Sequence, residues 1–86
     1  MASIPPVIID CVQYYVERWS KIKKVPAEVI ENRAHSLGYH RYRKYLTDTR
    51  SATTKQDEID EKAGEFGCKV QVAWRDKRAS LLAQGA

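Results

Sequence analysis

The chain has 86 residues, 43% of them hydrophobic and 30% charged, with a formal net charge of +4. At this length it is one domain at most, and it buries only about 60–65% of the surface its unfolded form exposes; partners or a second copy are a common way to complete so thin a core. Two cysteines without Cys-x-x-Cys spacing exclude a disulfide scaffold and a zinc knuckle, and no apolar run is long enough to cross a bilayer.

The first predicted element is an amphipathic helix over about 5–23. Pro5-Pro6 suits a first helical turn, and Ser3 is the candidate cap before it. Val7, Ile8, Cys11, Val12, Tyr15, Trp19 and Ile22 recur at helical spacing, opposite Asp10, Gln13, Glu17 and Lys21. The basic turn from Lys21 to Lys24 suits the negative end of the helix dipole. The amino terminus has neither the basic start and long apolar core of a secretory signal nor the Arg-rich pattern of a cleaved transit peptide.

Pro26 starts a second, short helix over 26–37, with Val29, Ile30, Ala34 and Leu37 inward and Glu28 and Glu31 in its first turns. Gly38 is the expected left-handed stop. Then comes Tyr39-His40-Arg41-Tyr42-Arg43-Lys44-Tyr45, which packs three tyrosines, three permanent positive charges and one histidine into seven residues. From His40 to Leu46 this segment is either a short helix or irregular; if helical, Tyr42, Tyr45 and Leu46 share one side. Residues 47–54 read as a polar connector.

The last helix, about 54–83, carries the clearest signal. Thr53 or Thr54 caps it, acids crowd its start and bases its end. Glu58–Lys62 and Glu65–Lys69 are favourable i,i+4 pairs. Ile59, Ala63, Phe66, Val70, Trp74 and Leu81 form its apolar stripe. Gly64 and Gly67 beside the stripe cost helix propensity and suit the close approach of a neighbouring helix. Cys11 and Cys68 bridge if their helices pack together in an oxidising compartment; otherwise they are free, buried thiols. The expected fold is therefore all-α, a single small helical domain over 1–86: two longer helices joined by a short helix and a basic aromatic segment.

Function is read first from charge. Residues 1–50 carry nine Lys/Arg against five Asp/Glu, while residues 51–86 carry six of each. Such asymmetry points to an acidic or polyanionic partner, unless it is simply a solvated basic face. The partner-binding candidates are Tyr39, Arg41, Tyr42, Arg43 and Lys44 in the basic run, with Trp19, Phe66, Val70 and Trp74 as apolar anchors. Their natural partners are other protein subunits, anionic lipid headgroups or nucleic acid. Enzyme signatures are absent: there is no glycine-rich phosphate loop, nucleophile elbow or metalloprotease helix. His35 and His40 lack metal-ligand spacing and companions, so no catalytic residue, metal or cofactor is assigned. A helix-turn-helix over 26–46 is the main alternative, with Ala34, Leu37 and Gly38 near the turn and Arg41, Arg43 and Lys44 on a recognition helix. Against it, Lys44 and Thr47 would fall where that motif buries apolar side chains. Tyrosines with Arg and Lys between them also suit the stacking of single-stranded bases.

The Tyr39-His40-Arg41-Tyr42-Arg43-Lys44 run, followed after a polar linker by a helix carrying Ala73-Trp74-Arg75-Asp76, resembles the PDSW-type accessory subunit of mitochondrial respiratory complex I. The resemblance covers about residues 7–84. It implies a non-catalytic structural subunit without a cofactor, associated with the mitochondrial inner membrane and holding neighbouring subunits of the membrane arm together; the alternative address is cytoplasmic. The family's disulfides are not implied for Cys11 and Cys68, which fall at other positions.

Overall fold

A computed structural model describes residues 4–84 as three α-helices: α1 (Pro6–Ser20), α2 (Ala27–Thr49) and α3 (Gln56–Gln84). Two helices are long and one is shorter, as the sequence pattern implied, but the short one is α1. Each of the first two helices opens immediately after a proline. The Pro5 carbonyl accepts from Ile8 and Ile9 N–H at 3.0 and 3.2 Å, and the Pro26 carbonyl from Val29 and Ile30 N–H at 3.1 and 3.4 Å. Proline's fixed φ presets this entry and its missing N–H costs nothing there. The Ser3 cap lies outside the described residues.

α2 does not stop at Gly38. It continues through the whole basic aromatic segment to Thr49, and no described glycine has a positive φ. The left-handed stop is corrected accordingly, and so is the turn that a helix-turn-helix over 26–46 requires. The reason is packing: Gly38 is buried against α3, and a β-carbon there would meet Val70 Cγ2 at 2.7 Å and the Gly67 Cα at 3.1 Å. Gly67 is equally constrained, since its β-carbon would meet the His35 carbonyl oxygen at 2.7 Å and Nδ1 at 2.9 Å. Two glycines flanked one turn back by the fully buried Ala34 and Ala63 let the two backbones approach closely. Gly64, by contrast, faces open space.

α2 and α3 form an antiparallel hairpin clipped at both ends. Arg43 Nε donates to Asp60 Oδ1 at 2.8 Å, and Arg75 grips Glu31 through Nε at 3.1 Å and Nη2 at 3.3 Å. Among the described residues the expected pairs Glu58–Lys62 and Glu65–Lys69 are not formed; the ion pairs found run between helices. Exposed pairs on one helix gain too little to hold two long side chains in place. The connector is ordered by hydroxyls: Ser51 Oγ lies 3.1 Å from Thr53 Oγ1 and 2.9 Å from Thr54 Oγ1. Those threonines therefore serve the loop, while α3 starts at Gln56 with Ile59 N–H bonded to the Lys55 carbonyl.

The core is built from rows four residues apart: Ile8, Val12, Val16 and Ser20 on α1; Ile30, Ala34, Gly38 and Tyr42 on α2; Ile59, Ala63, Gly67 and Phe66, Val70, Trp74 on α3. On α1 the buried row is offset from the expected stripe. Val16 is inside, Val7 is 73% exposed, and Cys11, Tyr15 and Trp19 lie at the margin. Ser20 continues that inward row, and its buried hydroxyl is satisfied by donating back to the Glu17 carbonyl at 2.8 Å. The α3 stripe matches expectation except that Leu81 is only half-buried. The radius of gyration is 14.3 Å, against about 12 Å for an average compact domain of this length, because three nearly aligned helices make a rod of 52 × 22 × 16 Å. No described helix is long and apolar enough to cross a membrane.

Candidate functional site

The basic aromatic run is contiguous in sequence but not in space. A helix turns about 100° per residue, so its side chains scatter around α2. Tyr42 points into the core, edge-to-face on Phe66 at 5.2 Å and stacked on Tyr45 at 6.2 Å. Arg43 turns toward α3 and Asp60. Tyr39 is half-buried beside His35, with ring centroids 6.4 Å apart. Of the run only His40, Arg41 and Lys44 stay exposed.

The apolar anchors divide in the same way. Phe66, Val70 and Trp74 are core residues, at 8, 2 and 0% exposure, so they and Tyr42 are used by the molecule's own packing. Among the described residues Trp74 is the largest fully buried side chain and its indole N–H has no acceptor; the Arg78 guanidinium lies 5.6 Å from its ring. Trp19 remains half-exposed, with one side against the core and against Tyr15 at 5.1 Å, and the other facing outward.

What the fold does bring together is a groove along the α1/α2 seam, on the side away from α3. Its first stretch, about 740 Å³, is lined by Trp19 of α1 and by Val29, Arg33, Leu37, His40 and Arg41 of α2. Its second, about 460 Å³, is lined by Val7, Ile8 and Cys11 of α1 and by Arg41, Lys44, Tyr45 and Asp48 of α2. Arg41 stands at the junction of the two. The floor is apolar and the rim is basic. Val29 is 40% exposed, an uncovered aliphatic side chain beside Trp19. Sequence reasoning missed Val7, Cys11, Val29, Arg33 and Leu37 as a surface. The signal was present: Arg33, Leu37, Arg41 and Lys44 share one helical face, provided the helix is read straight through Gly38.

Electrostatically the molecule treats its arginines in two ways. Arg43 is spent on Asp60, whose carboxyl is held below the ordinary range by that hydrogen bond and by a second from Gln56. Arg75 is spent on Glu31, whose carboxyl is lowered mainly by the Arg75 hydrogen bond. Arg33, Arg41 and Lys44 have no ion pair among the described residues. Among the described residues Asp48 is the only carboxylate lining either stretch.

The described residues contain no group of three or more His, Cys, Asp or Glu able to hold a metal ion. Both thiols are free; Cys11 is half-buried in the groove wall and Cys68 is exposed on α3, so neither the bridge nor the buried pair is found. Fold and site thus define a three-helix protein with an open amphipathic seam. No family model, curated protein or solved structure matches the chain significantly.

Proposed function

We propose that the chain is a non-catalytic helical subunit of a larger assembly, and that it engages a partner protein along the α1/α2 groove. The observation that supports this is the groove itself: an uncovered apolar floor with three bases on its rim that have no ion pair among the described residues. An apolar groove between helices is a surface on which a partner's amphipathic helix docks. The narrower form of the proposal places the assembly at the mitochondrial inner membrane, as a complex I-like accessory subunit; it rests on the sequence resemblance alone.

The test is affinity purification of the tagged chain from its native source, with and without nuclease, followed by mass spectrometry, beside the groove variants Val29→Asp and Arg41→Glu. A stoichiometric set of proteins that resists nuclease and is lost with the variants is the expected result, and respiratory membrane-arm subunits among them would support the narrower form. Partners retained by both variants would overturn the groove as the site. Nucleic acid recovered in place of protein would give the basic rim to a polyanion.

A further inference from the structure

We infer that the groove takes an acidic amphipathic helix of a partner protein, about four turns long, laid over the α1/α2 seam with carboxylates against Arg33, Arg41 and Lys44. This rests on the groove being the partner surface. Three observations select the occupant.

The first is the wall chemistry. Both walls are α-helices whose interior backbone donors and acceptors are already used, so an extended peptide would find no sheet edge to bond. A helix brings its own backbone bonds and presents only side chains. Set over the α1/α2 seam opposite α3, it completes a four-helix arrangement, with its apolar stripe on Trp19, Val29, Leu37 and Tyr45. The second is length. α1 has 15 residues and the groove stretches run from Pro5 to Trp19 along it, about 22 Å at 1.5 Å per residue. The third is charge. Arg33, Arg41 and Lys44 are unpaired and share one rim, with Arg33 and Arg41 about 12 Å apart along the helix axis. Carboxylates eight residues apart on one face of the incoming helix match them.

Other occupants fit less well. A planar lipid surface meets the basic rim, but it has no side chains to interdigitate with Trp19, Val29 and Leu37. A polyanion meets the rim but gains nothing from Trp19, Val29 and Leu37. A second copy is the nearest rival, since Glu58, Glu61 and Glu65 form an exposed acidic row on α3. But α3 lies on the opposite side of the molecule from the groove, so that contact would run head to tail and would not close as a dimer.

The experiment uses the full chain and three fluorescein-labelled helical peptides of about 15 residues. All carry the same leucine stripe at helical spacing; their flanks are Glu, Gln or Lys. Binding is read by anisotropy and by Trp19 emission in a Trp74→Phe background, and self-association by sedimentation velocity. The Glu peptide is expected to bind at least about tenfold more tightly than the Lys peptide, with the Gln peptide between them and the Glu advantage shrinking as salt rises. Arg41→Glu with Lys44→Glu should reverse the order without lowering the melting temperature, since both side chains are exposed and unpaired. Equal affinity for Glu and Gln peptides, lost with Val29→Asp, would overturn the acidic occupant and leave the groove standing. No peptide bound, with native partners still captured in a groove-dependent way, would overturn the helical occupant. Native partners captured independently of the groove would overturn the functional reading beneath it. Self-association abolished by the Arg41/Lys44 reversal would assign the groove to α3 of a second copy and overturn the foreign helix.

Discussion

Alanine at the three glycines of the α2/α3 hairpin should give opposite results at neighbouring positions. In a helix interior Gly→Ala gains about 1 kcal/mol from propensity wherever the new methyl finds room. At Gly64 no described atom beyond its chain neighbours and its own helix backbone lies within 4 Å of the added carbon, so Gly64→Ala should stabilise by about that amount. At Gly67 the methyl arrives 2.7 Å from the His35 carbonyl oxygen, which is helix backbone and cannot rotate away, and 2.9 Å from His35 Nδ1. α2 must retreat from α3, loosening Ala34, Ala63 and Val70. Overpacking of this kind costs about 1–3 kcal/mol. The propensity gain is common to both variants, so their difference equals the packing cost. For a domain of this size each kcal/mol moves the melting temperature by about 4–8 °C. Gly67→Ala should therefore melt at least several degrees below Gly64→Ala by circular dichroism. Gly38→Ala should fall on the same side as Gly67→Ala, because Val70 Cγ2 at 2.7 Å belongs to a stiff, buried side chain. The double variant at Gly38 and Gly67 should cost less than the sum, since one retreat of α2 makes room for both methyls. If Gly67→Ala melts at or above Gly64→Ala, the close crossing of α2 and α3 is wrong.

Three further outcomes follow from the same contacts. Ile30→Ala, at 1% exposure in the centre of the core, should destabilise by about 2–5 kcal/mol in urea titration, a large share of a small domain's total stability; a cost below 1 kcal/mol would remove Ile30 from the core. Glu31 and Asp60 have carboxyl pKa values below their ordinary range in the folded state. Their contribution is thus fully present above the ordinary carboxylate pKa of about 4 and is lost as pH falls through the lowered values. Melting temperature should hold down to about pH 5 and fall below it, and Glu31→Gln with Asp60→Asn should shrink that fall; an unchanged acid limb would discount both pairs. Cys68 is exposed and Cys11 half-buried, so iodoacetamide should label Cys68 first, and reductant should leave the melting curve unchanged.

How much of this was legible in the sequence depends on the range of the interaction that decides each feature. The α3 stripe from Ile59 to Trp74 could be read because one helix's periodicity is a local property. So could the proline starts of α1 and α2. Gly38 could not, because glycine serves two ends: it tolerates a left-handed stop and it permits two backbones to touch. Only the presence of Gly67 and Val70 across the gap chooses between them, and those partners are 29 and 32 residues away in the chain. The α1 stripe was read about one position off for a related reason. Val7 and Trp19 are as apolar as Val16, and what ranks them is where α3 lies. The groove was hidden because it belongs to two helices at once, and its α2 half was divided by the expected break at Gly38.

The basic run shows the consequence most directly, and it yields a double dissociation. Arg41 and Arg43 are two residues apart, identical in chemistry and equally conspicuous in the sequence. Two helical steps put them about 200° apart around α2. Arg43 is bonded to Asp60 at 2.8 Å and helps hold α2 on α3; Arg41 is exposed, unpaired, and lines both stretches of the groove. Arg43→Gln should therefore lower the melting temperature and raise the apparent pKa of Asp60, visible in its carboxyl carbon shift, while leaving capture of the groove partner unchanged in the folded fraction. Arg41→Gln should leave the melting temperature and Asp60 alone and weaken capture. The pairing is half-exposed, so the stability effect is expected to be modest and to shrink with salt. A solvated basic face with no partner would keep the stability difference between the two arginines and show no loss of capture with either. A recognition surface made of the whole contiguous run would lose capture with both. Helical geometry across Arg41–Arg43 is what assigns one arginine to the fold and the other to the groove rim.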